Sequence, residues 1–214
     1  MNAVIRQILI EAFTFYTGSM WDRRRRHVRR EHRLTGRLLP ESAPTVDALP
    51  YRLKMTRAVY EAIRQTVGRL PAETGGALGG RYEDEIITAF QFDAEARRTG
   101  ATYSPNTAFL NRLFQEDWNP RGIRLLSFVH SHPPGCKYIS HGDRVYAARI
   151  LAAIPELKQL YLPIVMSTGD GMPFEIVPFV ALRDGEGGVI IEEAELVIVA
   201  GTEEIIQESE LILN

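Results

Sequence analysis

The sequence has little cysteine, no long apolar run and, near its C-terminal end, no basic residue. A single cysteine, Cys136, occurs in 214 residues, which excludes an internal disulfide and any metal site built from several cysteines. No stretch reaches the ~18 consecutive apolar residues that a membrane-spanning helix needs. The first 20 residues match a secretion signal poorly, because most of the arginines follow the apolar run. These absences predict a cytoplasmic protein without a membrane span.

Charge is distributed unevenly along the chain. Residues 1–40 contain nine arginines and three acidic residues, a net charge of +6, whereas residues 184–214 contain nine acidic residues and no lysine or arginine. Eight of the arginines lie between Trp21 and Arg37. Such a run is typical of a solvated face, or of a contact with nucleic acid, an anionic lipid surface or the acidic end of the same chain. Nucleic acid is disfavoured, because no aromatic residues are interleaved with the arginines.

Composition divides the chain into four parts. Residues 1–38 combine an amphipathic helix, predicted over Asn2–Tyr16, with the arginine-rich extension. Residues 39–51 have the proline-containing, polar composition of a linker. Residues 52–183 carry the apolar segments expected of one folded domain, and residues 184–214 form an acidic extension.

Helices and strands alternate irregularly in the predicted domain. Thr56 is positioned to cap a helix over about residues 57–67, and Ser104, followed by Pro105, is positioned to cap a second. A doubly wound parallel sheet would have a helix after every strand, and this sequence does not. The pattern therefore favours a mixed or antiparallel α/β fold. Two predicted strands, Leu160–Met166 and Phe174–Leu182, each contain a proline, which indicates an edge or a bulge. The other predicted strands are Thr74–Tyr82, Glu85–Asp93, Ile123–Val129, Val189–Ile191 and Leu196–Val199.

The stretch Val129–Asp143 carries candidate metal ligands. His130 and His132 lie two residues apart where a predicted strand ends, so both imidazoles can point to one face. Ser140 has the spacing to Asp143 of a capping box, which places the Asp143 carboxylate in the first turn of a helix. Two histidines and one carboxylate leave one of four tetrahedral zinc positions open. That pattern is typical of a catalytic zinc site.

Simpler explanations exist for each part of this pattern. Two histidines at a strand end can be ordinary hydrogen-bonding residues, and Ser140 can be only a helix cap. Ser131 points to the opposite strand face, and His141 lies outside the pattern. Cys136 lacks an evident activating neighbour, so a cysteine-protease mechanism is disfavoured. Only the combination of three ligands favours a metal site.

The arrangement H-S-H, seven residues, S, two residues and D, from His130 to Asp143, resembles the JAMM motif of the JAB1/MPN/Mov34 metalloprotease family. Glu73, in E-T-G-G-A-L-G-G, is similar in place to the upstream glutamate of that family. The resemblance extends over Tyr51–Leu182 and is strongest to bacterial JAB-type proteins of ubiquitin-like modification systems, including antiphage ones.

The resemblance implies a largely antiparallel, curved, mixed sheet flanked by helices, in a JAB/MPN-like and cytidine-deaminase-like arrangement. It implies one Zn²⁺ per chain, held by His130, His132 and Asp143. Glu73 is then the general base, and Ser140 is the donor to the oxyanion. The implied activity is hydrolysis of the bond after the C-terminus of ubiquitin or a ubiquitin-like protein. Activating or conjugating enzymes of the same system are further expected partners.

Alternatives remain open for the base and for the whole protein. Glu83, Asp84 and Glu85 are the other candidates for the base, although they fit a turn better. A non-catalytic MPN-type interaction module is the main alternative function, and nucleic-acid binding through the arginine run is a third.

Overall fold

The structure, a computed structural model, describes residues 49–99, 102–166 and 174–200. The predicted helix over Asn2–Tyr16, the arginine-rich segment and most of the linker lie outside the described residues.

Ten strands are present in the described part of the chain. Eight form one sheet in the order β10-β1-β3-β2-β6-β7-β8-β9, and β4 and β5 form a separate hairpin. In the large sheet β1 pairs in parallel with β3 and β10, and β6 with β7, while the other four pairings are antiparallel. The strands are β1 (Arg52–Thr56), β2 (Gly75–Arg81), β3 (Ile86–Phe92), β4 (Arg97–Thr99), β5 (Thr102–Ser104), β6 (Arg124–His132), β7 (Gln159–Met166), β8 (Glu175–Arg183), β9 (Val189–Glu193) and β10 (Glu195–Val199).

The large sheet curves until its two edges nearly meet. The edge strands β9 and β10 are separated by one residue, Ala194. The N–H of Ala194 donates to the Pro178 carbonyl on β8 (3.1 Å), and the N–H of Glu195 donates to the Tyr51 carbonyl beside β1 (2.8 Å). The prediction of a mixed α/β fold with a curved, largely antiparallel sheet is confirmed. The sheet also continues past residue 183, since β9 and β10 lie in the segment predicted as an acidic extension.

Three α-helices accompany the sheet in the described residues: α1 (Arg57–Gln65), α2 (Thr107–Arg112) and α3 (His141–Ala153), with α2 continued by a π-helical segment, Leu113–Trp118. Thr56 caps α1 as predicted, because its hydroxyl accepts the N–H of Val59 (3.4 Å). Helix α1 packs against β1, β3 and β10, and α3 against β7, β8 and β9. None of the described helices is long and apolar enough to cross a bilayer.

The predicted cap of α2 was wrong. Ser104 is the last residue of β5 and pairs with Arg97. Asn106 caps the helix instead, because its side-chain oxygen accepts the N–H of Phe109 (3.1 Å). Asparagine caps helices as well as serine does, and the pairing that occupies Ser104 cannot be read from neighbouring residues.

The prediction that each of the two proline-containing strands lies at an edge or contains a bulge was also wrong, because the pairings of β7 with β8 and of β8 with β9 show no shift of register. Strands β7 and β8 are both interior, and Pro163 lies opposite Pro178 in their ladder. The Pro178 carbonyl accepts the N–H of Ala194, so it points away from Pro163. Neither proline therefore has to supply an N–H to the other.

Candidate metal centre

Strand β6 carries the two histidines at the centre of the sheet. It lies between β2 and β7, and its apolar residues are buried. The strand extends to His132 and so includes both histidines, which share one face as predicted. Ser131 points to the other face, is fully buried, and accepts the Thr74 N–H at its hydroxyl (3.0 Å).

The chain then leaves the sheet and returns as α3. Gly135 has a φ of +83°, in the left-handed region that glycine tolerates best. Ser140 caps α3, since its hydroxyl accepts the Asp143 N–H (3.1 Å) and its own N–H donates to Oδ2 of Asp143 (2.8 Å). The predicted capping box is confirmed, and it fixes the carboxylate of Asp143 in the first turn.

The two imidazoles and the carboxylate converge. Nε2 of His130 lies 2.8 Å from Nε2 of His132 and 3.3 Å from Oδ1 of Asp143. Nε2 of His132 lies 3.6 Å from Oδ2 of Asp143. A tetrahedral Zn²⁺ with bonds of ~2.0 to 2.1 Å separates its ligand atoms by about 3.3 Å. The three side chains therefore fit the predicted metal, and together they could hold such an ion.

A hydrogen bond orients His132 for metal binding. Its Nδ1 lies 2.9 Å from the carbonyl oxygen of Cys136. Because a carbonyl can only accept, Nδ1 carries the proton and Nε2 keeps its lone pair for a metal. Cys136 thus contributes its backbone to the site, and its thiol remains outside the ligand set. His141, the exposed first residue of α3, is also outside that set.

The site strongly favours positive charge. Burial by itself would raise the pKa of Asp143, but the charge of His130 and its hydrogen bond outweigh this and hold that pKa well below its usual range. Burial by itself would lower the pKa of His130, but the carboxylates of Asp143 and Glu73 outweigh this and raise it. Negative charge is therefore concentrated where a cation would be held.

Glu73 lies beside the ligands. It precedes β2 by two residues, and Gly75, the first residue of β2, pairs directly with His130. Burial raises the pKa of the Glu73 carboxyl, against the lowering effect of His130 and His132. The alternative bases, residues 83–85, form the turn between β2 and β3 at the other end of β2. The structure thus brings Glu73 to the ligands and places the alternatives away from them.

Sequence reasoning missed two residues next to the site, Tyr103 and Asp93. The ring of Tyr103 lies almost parallel to that of His130, and its hydroxyl donates to Asp93. The glycines of the E-T-G-G-A-L-G-G segment, residues 73–80, were the one available signal for these two residues. Glycines within a strand indicate the close approach of another group. A side chain at Gly75 would meet the ring of Tyr103.

The chain is similar to a solved structure and to a protein family. The solution structure of protein DSY2949 from Desulfitobacterium hafniense is similar at 20% identity and a TM-score of 0.48, over 69% of this chain and 94% of that one. No curated protein matches the chain. A family model described as prokaryotic homologs of the JAB domain matches residues 56–180, which is more than half of the chain. The chain therefore belongs to the family of prokaryotic JAB-domain homologs.

Proposed function

We propose that this protein is a zinc-dependent hydrolase that cleaves the isopeptide or peptide bond after the C-terminus of ubiquitin or a ubiquitin-like protein. The observation that carries the proposal is the convergence of His130, His132 and Asp143, with Glu73 beside them. Membership of the JAB family, which includes metalloproteases, supports it.

One Zn²⁺ per chain would be held by Nε2 of His130, Nε2 of His132 and the carboxylate of Asp143. When bound, Zn²⁺ polarises a carbonyl and lowers the pKa of water to about 7. These three ligands leave a fourth position open, which a closed structural site does not. The hydrogen bond from His132 to Cys136 and the capping box around Asp143 hold two of the ligands before any metal arrives.

Glu73 and Ser140 carry the proton transfer and the charge stabilisation. Glu73 takes a proton from the attacking water and gives it to the departing amine, so the carboxylate is regenerated after each turnover. Ser140 uses its hydroxyl oxygen to accept the Asp143 N–H. Its O–H proton is left to donate to the oxyanion that forms on the attacked carbonyl.

The substrate class rests on the resemblance to the JAMM family. We propose a ubiquitin-like protein as the substrate, activating or conjugating enzymes of the same system as partners, and a cytoplasmic, antiphage setting. The cytidine-deaminase-like arrangement of helices around the sheet is likewise a proposal.

The experiment uses the zinc-loaded full-length chain with linear fusions and with lysine-linked conjugates of ubiquitin, or of ubiquitin-like proteins from the same genome, to a reporter protein. We expect cleavage at the junction, loss of cleavage with a zinc chelator, and loss in Glu73→Gln with zinc still bound. Glu83→Gln is the matched control, because Glu83 lies at the other end of β2, and it should cleave normally. Cleavage by Glu73→Gln, or cleavage that survives chelation, would contradict the mechanism. Cleavage of neither the fusions nor the conjugates would contradict the substrate class.

The non-catalytic alternative differs in a measurable way. An interaction module without chemistry has no need of three converging ligands, so the complete ligand set favours the enzyme. Binding of a ubiquitin-like protein by a chain that holds no zinc would favour the module.

A further inference from the structure

The two histidines are oriented by different means. His132 is held by a hydrogen bond from its Nδ1 to the Cys136 carbonyl. The ring of His130 lies almost parallel to that of Tyr103, with 10° between the planes and 6.4 Å between the ring centroids. This spacing is within the range of offset-stacked aromatic pairs. Tyr103 belongs to β5, so a strand outside the main sheet contacts a candidate ligand inside it.

A buried carboxylate fixes the position of Tyr103. Its hydroxyl donates to Oδ2 of Asp93 (3.2 Å), and the N–H of Asn106 donates to the same oxygen (2.7 Å). A tyrosine hydroxyl is protonated at neutral pH and a carboxylate can only accept, so Tyr103 is the donor in this hydrogen bond. Asp93 is fully buried, and its Oδ1 has no hydrogen-bond partner among the described residues. Burying a carboxylate with one oxygen unpaired lowers the stability of the fold. A contact that served only to stabilise the fold would not need such a carboxylate.

The space that Tyr103 occupies depends on Gly75. A Cβ at Gly75 would lie 2.8 Å from Cε1 and 2.9 Å from Cζ of Tyr103, and 2.5 Å from the carbonyl oxygen of Val129. Gly75 is also the residue that pairs with His130 across β2 and β6. The ring of Tyr103 therefore packs on bare backbone directly beside His130, while Asp93 holds its far end.

We propose that Tyr103, held by Asp93, is a positioning residue that fixes the ring orientation of the metal ligand His130. The inference rests on the proposed function in one respect, namely that His130 binds a metal. Residues that orient metal ligands from outside the ligand set change metal affinity by about 10- to 100-fold when they are replaced. Tyr103 acts through the imidazole and is not itself one of the three converging ligands.

The test measures Co²⁺ affinity and the visible spectrum of the Co²⁺ form, which reports ligand geometry, in the full-length chain. Tyr103→Leu removes the ring, and we expect Co²⁺ affinity to fall about 10-fold with an altered spectrum. Tyr103→Phe keeps the ring but not its hydrogen bond to Asp93, so its loss of Co²⁺ affinity should be smaller than that of Tyr103→Leu. Asp93→Asn retains an acceptor for the Tyr103 hydroxyl and should bind Co²⁺ more tightly than Asp93→Ala.

Tyr161 provides the matched control. It is also buried, and its hydroxyl accepts a hydrogen bond from Gln159 (2.9 Å), but it lies near the start of β7, away from the histidines. Tyr161→Phe and Tyr161→Leu should lower the melting temperature of the metal-free chain and leave Co²⁺ affinity and the spectrum unchanged.

The possible outcomes separate this inference from the proposed function. Unchanged Co²⁺ affinity and spectrum in both Tyr103 variants would overturn the positioning role, as would equal losses in the Tyr161 variants. A wild-type chain that binds neither Zn²⁺ nor Co²⁺ would overturn the metal centre and this inference with it. If the wild-type chain binds metal but cleaves neither the fusions nor the conjugates, only the proposed activity fails, and the variants still decide the role of Tyr103.

Discussion

Ser131 shows how a residue outside the ligand set can hold the site together. It stands between the two histidines but faces the other side of β6. Its N–H donates to the Thr74 carbonyl (2.7 Å), and its hydroxyl lies 3.0 Å from the Thr74 N and 3.2 Å from the Thr74 hydroxyl. Thr74 directly follows Glu73. Ser131 therefore ties the strand that carries the histidines to the segment that carries the proposed base.

Replacing Ser131 should affect both stability and activity. In Ser131→Ala the buried N–H of Thr74 loses its acceptor, which should lower the free energy of unfolding by about 1–3 kcal/mol. Because Glu73 is no longer held in register with His130, kcat for fusion cleavage should fall as well. Denaturant unfolding and steady-state kinetics measure the two effects.

Ser127→Ala is the control for this prediction. Ser127 is a fully buried serine on the same strand, and its hydroxyl donates to the Tyr161 carbonyl. It should lose comparable stability but keep its kcat when zinc-loaded. Equal kcat in the two variants would show that Ser131 has no specific link to Glu73.

The three ligands could be predicted from sequence because the signals for them are local. His130 and His132 follow from the two-residue period of a strand, and Asp143 follows from a capping box whose two members are three positions apart. Tyr103 and Asp93 could not be predicted in the same way. Their positions depend on how a separate hairpin packs beside β2, and the neighbouring sequence contains no information about that packing.

Helix α3 is held at both ends. Its first turn is fixed by the capping box of Ser140 and Asp143. At its other end Nη2 of Arg183, on β8, donates to the carbonyls of Leu151 (2.6 Å) and Ile154 (3.1 Å). A cation that binds free carbonyls at a helix C-terminus stabilises the helix. The carboxylate of Asp143 is thereby fixed relative to the sheet that carries the histidines.

The cap and the catalytic role of Ser140 can be separated by substitution. Glycine replaces a serine cap at a cost of only a few tenths of a kcal/mol and has no side-chain donor, so Ser140→Gly should nearly keep the melting temperature. Its kcat should fall by about 10²- to 10³-fold, the usual effect of losing an oxyanion donor. Thr56→Ala, which removes the cap of α1, is the control and should lower stability without changing kcat. Full kcat in Ser140→Gly would mean that Ser140 is only a cap.

Elements were predictable where a signal lies within the element itself. Thr56 and Ser140 were identified as caps because their partners are three residues away. Pro163 and Pro178 wrongly indicated an edge or a bulge, because their place in the sheet depends on neighbouring strands that cannot be read from the residues around them. Ser104 was mistaken for a cap for the same reason.

The whole molecule depends on the near closure of its sheet. Strand β10 pairs with β1 over five residues, Arg52 to Thr56, and β9 pairs with β8. Both strands lie in a segment whose acidic composition suggested an extension. Their own β-branched residues predicted strands, but the sequence could not show that these strands join the main sheet.

Truncation tests this closure. Removing residues 189–214 deletes β9 and β10 and exposes apolar residues of β1 and β8, so we expect a large drop in melting temperature or loss of cooperative unfolding. Removing only residues 201–214 deletes no described strand and should leave the melting temperature of the metal-free chain unchanged. A stable, cooperative chain that ends at residue 188 would show that β9 and β10 are dispensable.

Zinc stoichiometry in the purified full-length chain tests the metal centre itself. Elemental analysis after loading with zinc and removal of the excess should give one zinc per wild-type chain and none in His132→Ala. His141→Ala also removes one histidine, but from an exposed position outside the ligand set, and it should retain one zinc. A wild-type chain without zinc, or His132→Ala with one zinc per chain, would contradict the assignment of His130, His132 and Asp143 as the ligands.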